Sequence, residues 1–333
     1  MSAITTLDPS KLESNEREQF ALDVLMGLST ERRSLPSKYF YDAEGSRLFQ
    51  KITSLAEYYP TRCEAEILRQ HRDEMVELLS SRPTTIVELG AGDGTKTRIL
   101  LEACAKRKLD IEYVPVDISR DALEWLVDAL QDELPEIPTR GIVSEYFDAL
   151  RWLNVENSER RKLVLMLGSN IGNFNPAQTR VFMRTLWNSC NPGDLVLTGF
   201  DLKKDIDVML AAYNDREGVT RDFNLNLLRR INTELDGDFN LASFQHFGTY
   251  NVFSGAMESY LVSLRRQEVS IGALNKSFTF DPWEPIFVEY SFKFLTSDVE
   301  DLARETGFRP VGAWQDERGW FTDALWRVHK ELV

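Results

Sequence analysis

The stretch Thr85-Ile86-Val87-Glu88-Leu89-Gly90-Ala91-Gly92-Asp93-Gly94 joins a short apolar run, an acidic residue and a glycine-rich turn. The apolar run predicts a buried strand, and the glycines permit a tight turn and a close approach of the backbone to a ligand. Apolar residues at helical spacing follow within 96–106 and predict a helix. A strand, a glycine-rich turn and a helix in this order are typical of a nucleotide-binding α/β domain.

The spacing of these glycines indicates the kind of ligand. A dinucleotide-binding fold uses G-x-G-x-x-G before a helix N-terminus, which binds the pyrophosphate. This chain has G-x-G-x-G behind Glu88, the commoner form when the ligand is S-adenosylmethionine, which carries no phosphate. The motif therefore favours a methyltransferase.

Composition and net charge limit the classes of molecule that this protein is expected to bind. The chain has 333 residues, 43% of them hydrophobic and 11% aromatic, enough to bury one large core or two smaller ones. Lys and Arg total 39 against 53 Asp and Glu, so the formal charge is -14. Such a surface repels nucleic acids and anionic membranes, so we expect a small-molecule substrate and neither of those partners. The oligomeric state stays open, with a monomer favoured.

Targeting signals and metal motifs are not evident in the sequence. No apolar run approaches the roughly 18 residues that span a bilayer, and residues 1–17 lack a signal pattern, so we expect a cytoplasmic protein. Cys63, Cys104 and Cys190 are far apart, which favours reduced thiols and no metal site. The chain has 3 histidines; His71 is predicted to lie in the core, and a histidine general base is not expected.

Residues 62–200 alternate predicted strands and helices in the way that a parallel sheet requires. Strands are predicted at 85–89, 111–117, 142–143, 163–167 and 194–200. Asn175-Pro176 predicts an N-cap and a first helical proline for the helix after the fourth strand. The chain is thus expected to contain an α/β, Rossmann-like core.

Residues 295–333 are predicted to complete this core. Ser297-Asp298-Val299-Glu300 resembles a capping box, and Gly307 is a C-cap candidate for the same helix. Segments 310–314 and 320–329 are predicted to pair as an antiparallel hairpin around the turn at 316–319. A reversed last strand is the usual ending of class I methyltransferase sheets, so the hairpin supports the same class as the glycine turn.

Residues 1–61 and 201–294 do not fit the core and are predicted to form a second, α+β substrate-binding lobe. The first segment opens with an amphipathic helix whose apolar positions include Phe20, Leu22, Leu25 and Met26. The second contains a helical pattern over 223–235, followed by strand-like alternation.

Three polar residues lie at the end of a predicted core strand or in the segment after one. Asp117 lies about twenty residues beyond the glycine turn, where a carboxylate accepts hydrogen bonds from ribose hydroxyls; a cap for the helix from Ser119 is the alternative. Lys96, at a helix start, is either solvated or a ligand of the cofactor carboxylate. Asn173, in the loop 168–173, could orient an amine or cap local backbone.

The run 286–294 alternates apolar and polar side chains. Alternation predicts one face with Ile286, Val288, Tyr290, Phe292 and Phe294 and another with Glu289, Ser291 and Lys293. Glu289 and Ser291 could therefore point together into a cleft as an acceptor and a hydroxyl. A solvated outer face is the ordinary alternative.

Ordered motifs across nearly the whole chain resemble the L-histidine Nα-methyltransferase family of ergothioneine biosynthesis. They are Lys38-Tyr39-Phe40-Tyr41-Asp42, Glu57-Tyr58-Tyr59-Pro60-Thr61-Arg62, Glu88-Leu89-Gly90, Lys96-Thr97-Arg98, Gly168 to Asn173, Gly199-Phe200-Asp201-Leu202, Tyr213, and Glu289 with Ser291. The resemblance implies a histidine-specific, S-adenosylmethionine-dependent methyltransferase that trimethylates the amine.

The resemblance also implies roles for individual residues. Contacts to S-adenosylmethionine are implied for Tyr41, Gly90, Lys96, Asp117, Glu145 and Tyr146, the last two replacing the usual Asp-Phe. Substrate contacts are implied for Tyr58, Gly168, Asn173, Tyr213, Glu289 and Ser291. Tyr58 and Asn173 are the implied catalytic residues. Glu289 and Ser291 are implied to hydrogen-bond the imidazole of the substrate.

One residue departs from the family pattern. Ser259 stands where a methionine is expected beside the imidazole, so a different amino acid, such as tryptophan or tyrosine, remains an alternative substrate. A non-catalytic protein that binds S-adenosylmethionine is the other alternative.

Overall fold

The computed structural model describes residues 4–7, 14–155 and 159–330 of the chain. Contacts between Cα atoms divide these residues into two compact units. Of the described residues, unit 1 holds those of Met1–Leu7, Pro60–Lys203 and Lys293–Val333, and unit 2 holds those of Asp8–Tyr59 and Lys204–Phe292.

Unit 1 is built on a mixed sheet, eight-stranded within the described ranges. Its strands are β1 (Ile4–Thr6), β2 (Thr84–Leu89), β3 (Ile111–Asp117), β4 (Gly141–Val143), β5 (Arg161–Met166), β6 (Leu195–Asp201), β12 (Phe308–Gln315) and β13 (Phe321–Val328). Their order is β1-β4-β3-β2-β5-β6-β13-β12, and the first six run parallel. The predicted α/β core with its five consecutive strands is confirmed.

The helices of unit 1 are α3 (Pro60–Glu77), α4 (Thr95–Lys106), α5 (Arg120–Glu133), α6 (Tyr146–Val155), α7 (Pro176–Ser189) and α10 (Thr296–Thr306). Helix α7 begins as predicted: Asn175 and Gln178 each accept a hydrogen bond from the other's backbone N–H, and Pro176 is its first residue. Large apolar side chains fill the core of this unit, with Phe182, Phe200 and Trp326 each at most 1% exposed.

The C-terminal hairpin is also confirmed. Strand β13 pairs antiparallel with both β6 and β12, so the last strand is inserted in reverse. The predicted capping box of α10 is wrong in its residues. The helix begins at Thr296, and the Asp298 side chain accepts the backbone N–H of Leu295, two residues earlier than the Ser297 pattern implied. Gly307 ends the helix at φ +94°, as predicted.

The prediction that all of residues 1–61 belong to the second lobe is wrong for the N-terminal strand. Strand β1 pairs parallel with β4 and so belongs to the sheet of unit 1. A three-residue edge strand has too short a pattern for its pairing to be seen in the sequence. His71 is a second correction: its side chain is 33% exposed and lies beside Glu74 and Trp314, on the surface rather than in the core.

Unit 2 combines helices and antiparallel sheets. Its helices are α1 (Ser14–Leu28), α2 (Ala43–Thr53), α8 (Ile206–Tyr213) and α9 (Val219–Leu235). Strands β7 (Phe244–Asn251), β8 (Ala256–Ser263) and β11 (Pro285–Phe292) form one sheet in the order β11-β8-β7, and β9 (Gln267–Ile271) pairs with β10 (Lys276–Phe280). The predicted α+β character of these segments is confirmed.

The apolar faces of the two long helices were predicted with different success. In α9 the whole predicted stripe is buried: Phe223, Leu227, Leu228, Ile231 and Leu235. In α1 the prediction is correct for two of its four residues: Phe20 is buried and Leu25 packs partly buried against the same core, but Leu22 and Met26 are 48% and 62% exposed. The buried residues are Phe20, Val24 and Leu28, a stripe at strict i, i+4 spacing.

The predicted faces of segment 286–294 also need correction. Strand β11 shifts register between Phe287 and Glu289, as a β-bulge does. Ile286 pairs with Leu261, Glu289 with Ser259 and Ser291 with Met257, so Ile286 lies on the face of Glu289 and Ser291. Lys293 lies beyond the strand, in unit 1, where its ammonium forms a buried 2.7 Å ion pair with Asp201.

Candidate active site

The glycine-rich turn after β2 has the backbone that its sequence predicts. Gly90, Gly92 and Gly94 have φ values of +76°, +55° and +65°, a left-handed conformation that L side chains rarely adopt. The backbone N–H groups of Gly90 and Ala91 both donate to the Val116 carbonyl, at 2.8 and 3.2 Å. A Cβ atom on Gly90 would lie 2.5 Å from the Tyr146 hydroxyl oxygen. The turn and the start of α6 are therefore in direct contact.

Asp117 ends β3 beside this turn. One carboxylate oxygen accepts the Gly92 N–H and the other accepts the Ser119 N–H, both at 3.0 Å. Burial raises the pKa of Asp117, while these backbone hydrogen bonds oppose the rise. The N-cap of α5 is Ser119, whose side chain accepts the Ala122 N–H, so Asp117 only orients the backbone that leads into this helix. Its other hydrogen bond connects Asp117 to the glycine turn, at the edge where a ribose binds in related α/β folds.

Two further predicted cofactor residues lie at the end of β4. Tyr146 opens α6, and its ring packs edge-on against Phe174 and Phe182, with centroids 6.5 and 6.1 Å apart. Burial raises the pKa of the Tyr146 phenol far above its usual range. Glu145, just before it, is exposed. An aromatic ring next to an exposed carboxylate suits the edge of an adenine base.

Lys96 and Gly168 are brought together by a residue that sequence reasoning missed. Glu64 of α3 is fully buried, and its Oε2 lies 2.5 Å from the Lys96 Nζ. The Gly168 backbone N–H donates to both oxygens of the same carboxylate, at 2.8 and 2.9 Å. A signal was present in the sequence, because Glu64 precedes Ile67 and Leu68 by three and four residues and so shares their apolar helix face. A charged residue on a buried helix face is rare unless it is paired.

The loop after β5 carries Asn173. It begins at Gly168 and Ser169, both left-handed at φ +79° and +57°, and continues as a short 3-10 helix over Asn170–Asn173. The Ser169 hydroxyl accepts the Asp201 N–H at 3.0 Å, which fixes the loop to β6. Asn173 is half-buried. A polar amide thus lies on a loop that follows a central strand at its carboxyl end and is hydrogen-bonded to β6.

The remaining predicted residues lie in unit 2, where two of them join an aromatic cluster. The Phe49 ring lies 5.7 Å from Tyr41 and 6.4 Å from Tyr58, each in edge-on geometry. Phe223 of α9 packs 5.7 Å from Tyr41. The two tyrosines therefore share one apolar neighbour and keep a polar hydroxyl at the tip of each ring.

A polar group on β11 is the second feature of unit 2. The Tyr213 hydroxyl donates to the Ser291 Oγ at 2.6 Å. Glu289 and Ser291 lie on one face, two residues apart, and Ser259 pairs with Glu289 on β8. Gly248 of β7 pairs with Ser259 in turn. Glu289 and Ser291 thus share a strand face, beside a serine and a glycine on the two neighbouring strands; their role as a paired acceptor and hydroxyl stays a prediction.

Buried Glu88 lies directly below the glycine turn. It accepts hydrogen bonds from the Thr97 Oγ1, at 2.6 Å, and from the Tyr113 hydroxyl. Burial raises the pKa of its carboxyl to about 7 from an ordinary 4.5. The acid is therefore protonated in the fold at pH values where it is ionised in the unfolded chain.

Glu88→Gln is expected to stabilise the protein at high pH. Because the folded pKa is raised, the wild type loses stability as the pH rises from about 4.5 to about 7, whereas glutamine mimics the protonated acid at every pH. Above that window the gain should reach roughly 3 kcal/mol. Urea unfolding at about pH 4 and about pH 8 measures it.

Glu112→Gln on β3 serves as the control, since this carboxylate is hydrogen-bonded to the Arg140 guanidinium near the surface. It should show no gain at high pH. A Glu88→Gln variant that is less stable than the wild type at about pH 8 would show that Glu88 is ionised in the fold.

The fold of unit 1, with its reversed last strand and the glycine turn facing Asp117, defines a class I S-adenosylmethionine-dependent methyltransferase. A sequence profile described as histidine-specific methyltransferase, SAM-dependent, matches residues 20–328. The chain belongs to this family.

Named relatives show the same similarity. The chain is 39% identical to a histidine N-alpha-methyltransferase of Mycobacterium tuberculosis, over 90% of this chain and 92% of the relative. Its identity to the enzyme of the same name from Mycolicibacterium smegmatis is 38%, over 91% and 93% of the two chains. Ergothioneine biosynthesis protein 1 of Neurospora crassa is 33% identical, over 85% of this chain and 32% of the longer fungal protein.

Proposed function

We propose that this methyltransferase transfers methyl groups from S-adenosylmethionine to the α-amino group of free L-histidine, as far as the trimethylated betaine hercynine, an ergothioneine precursor. The names of the relatives support the reaction. The single structural observation that carries the choice of substrate is the polar group of Glu289, Ser291 and Tyr213.

That polar group suits a neutral imidazole, which has one N–H donor and one acceptor nitrogen. The Glu289 carboxylate can accept the N–H. Because the Tyr213 hydroxyl donates to the Ser291 Oγ, the Ser291 hydroxyl is directed to act as a donor toward its other neighbours. An acceptor and a donor two residues apart on one strand face therefore match the two ring nitrogens.

Unit 1 is proposed as the cofactor-binding domain and unit 2 as the substrate lobe. In this assignment Gly90, Lys96, Asp117, Glu145 and Tyr146 bind S-adenosylmethionine, together with Tyr41. The bound cofactor supplies an electrophilic methyl group on a sulfonium. The support in unit 1 is the left-handed glycine turn, in which a Cβ atom on Gly92 would meet no protein atom within 4 Å, and Asp117 at the end of the neighbouring strand.

The substrate amine is assigned to Tyr58, Gly168 and Asn173, with Tyr58 and Asn173 as the catalytic residues. Methyl transfer forms an N–C bond as the S–C bond breaks, so the sulfonium becomes a thioether and the amine must arrive without its proton. Holding two reactants in line can contribute on the order of 7 to 11 kcal/mol. Neutral side chains orient the lone pair without adding an anion that would favour the ammonium.

Mass spectrometry of products tests the reaction. Purified protein is incubated with S-adenosylmethionine and each of the twenty amino acids, and the histidine product is compared with synthetic hercynine. We expect three methyl groups on histidine and none on the other amino acids. Preferred methylation of tryptophan or tyrosine would overturn the substrate, and the absence of any product would overturn the enzymatic function.

The cellular location, the oligomeric state and the kind of partner are proposed from the net charge and the helices of the fold. Within residues 4–7, 14–155 and 159–330, no helix is both long and apolar enough to cross a bilayer. The charge of -14 opposes binding to nucleic acids and anionic lipids. We propose a cytoplasmic monomer that acts on a free amino acid; light scattering after size-exclusion chromatography tests the monomer.

A further inference from the structure

Two carboxyl groups of unit 1 meet in a space that excludes water. Glu64 and Asp323 are both 0% exposed. Asp323 of β13 pairs with Gly199 of β6, and a Cβ atom on Gly199 would lie 2.1 Å from the Glu64 Oε1. The Glu64 carboxylate therefore fills the space that glycine leaves open at this point of the sheet, next to the partner strand that carries Asp323.

The donors around this pair are unevenly distributed. The Glu64 carboxylate forms an ion pair with the Lys96 ammonium and accepts hydrogen bonds from the Gly168 N–H. In the described part of the chain, neither oxygen of Asp323 accepts a hydrogen bond from a donor group, and its carboxyl lies within hydrogen-bond reach of the Glu64 carboxyl alone. Two buried carboxylates beside one ammonium would leave an uncompensated negative charge, which is strongly unfavourable. One proton shared between the two carboxyl groups removes that charge.

The distribution of donors decides which carboxyl keeps the proton. Burial and the neighbouring Glu64 charge raise the pKa of Asp323 well above its usual range, with Lys96 acting in the opposite direction. The charged groups that act on the cluster come from α3 (Glu64), α4 (Lys96) and β2 (Glu88, which acts on Lys96). The residues that pair with Asp323 on the adjacent strands are Gly199 and Trp314, and neither is titratable.

We propose that Glu64 is a positioning residue of the active site, an ionised clamp on Lys96 and Gly168, and that Asp323 is held as a neutral acid that supports it. This inference rests on the proposed function, since Lys96 and Gly168 are assigned there to the cofactor and the substrate. One carboxylate thereby holds both Lys96, which is assigned to the cofactor, and Gly168, the first residue of the loop that carries Asn173. An ionised Asp323 would compete with Glu64 for the Lys96 ammonium.

Calorimetric titration with S-adenosylhomocysteine tests the clamp. Glu64→Gln should weaken binding about tenfold to a hundredfold, because the amide loses the charge that holds Lys96 and Gly168. Asp323→Asn, which resembles the neutral acid, should cost far less, about threefold at most. Glu133→Gln is the matched control: Glu133 pairs with Arg98 on the same helix as Lys96, at the surface, and the substitution should leave binding unchanged.

Thermal unfolding against pH tests the proton on Asp323 without any change at Glu64. A carboxyl whose pKa is raised in the fold lowers stability as the pH rises above its unfolded value of about 4. Asp323→Asn removes this loss, so its Tm should exceed the wild-type Tm at about pH 8, and the difference should shrink toward about pH 4. A Tm below the wild type at about pH 8 would show an ionised Asp323 and overturn the inference.

The outcomes separate this inference from the proposed function. If the wild type binds S-adenosylhomocysteine and Glu64→Gln binds it equally well, the clamp is overturned and the proposed function stands. If the wild type does not bind, the proposed function fails and the clamp fails with it, while the Tm measurement still decides the state of Asp323. If Glu64→Gln does not fold by circular dichroism, Glu64→Asp replaces it; its shorter carboxylate cannot reach both partners and should also weaken binding.

Discussion

Replacing Glu289 with alanine is expected to raise the KM for histidine at least about a hundredfold, because a site built to hydrogen-bond a substrate group loses most of its discrimination when that bond is removed. The KM for S-adenosylmethionine should change less than about twofold, since the proposed role of Glu289 is confined to the imidazole. The carboxylate is half-buried on β11, two residues from the Ser291 that Tyr213 holds by a 2.6 Å hydrogen bond.

Steady-state kinetics with each substrate varied in turn measures the two KM values. Glu268→Ala provides the control: Glu268 is an exposed glutamate on β9 of the same unit, and its removal should leave both KM values unchanged. Equal increases in the two KM values for Glu289→Ala would remove Glu289 from the imidazole site. An unchanged KM for histidine would do the same.

The core of unit 1 was predictable because its signals are local. Apolar runs such as 163–167 have a length and composition that specify a buried strand wherever they occur. The N-cap at Asn175 and the C-cap at Gly307 involve residues within one turn of each helix end. Even the reversed last strand follows from a hairpin turn between two neighbouring segments.

The features that were missed depend on partners distant in the sequence. Strand β1 is defined by its pairing with β4, and its own three residues carry no distinctive pattern. The bulge in β11 changes which residues share a face, although Ile286 to Phe294 alternate well enough to hide it. In α1, Met26 is apolar and still 62% exposed, since the neighbours of the helix, not its hydrophobicity, decide which face is buried.

The candidate site likewise contains residues that sequence motifs identified and contacts that only the structure shows. Most of its residues came from motifs that resemble a family, and their roles remain predictions. The structure adds the hydrogen bonds that connect some of them, from Tyr213 to Ser291 and from Gly92 to Asp117. Glu64 belongs to no nucleotide-binding motif. Its contacts with Lys96 and Gly168 depend on the packing of α3 against α4 and on the loop after β5, which are distant from Glu64 in the sequence.

Gly90→Ala is expected to lower the affinity for S-adenosylhomocysteine at least about a hundredfold, by displacing the groups that the turn contacts. The residue sits at φ +76°, where an L side chain costs roughly 1–2 kcal/mol. The added Cβ would also lie 2.5 Å from the Tyr146 hydroxyl oxygen and 3.0 Å from the Asn170 Nδ2. Real Cβ atoms do not approach so closely, so Tyr146, the turn or both must move.

Gly92→Ala is the control that distinguishes backbone strain from a steric clash of the added Cβ atom. Gly92 shares the left-handed backbone, at φ +55°, but a Cβ there would meet no protein atom within 4 Å. Both variants should lose stability through the backbone, and Gly90→Ala should lose more, because only it forces Tyr146 to move. Differential scanning calorimetry measures the stability and titration calorimetry the affinity.

The pair also tests whether the turn holds the cofactor. If Gly90→Ala unfolds at a lower temperature than Gly92→Ala but binds S-adenosylhomocysteine like the wild type, the contact with Tyr146 matters for stability alone, and the cofactor does not lie on this turn. If Gly92→Ala also weakens binding, although its Cβ points into space that no protein atom occupies, the ligand itself must fill that space. That result would assign the exposed side of the turn to the cofactor directly.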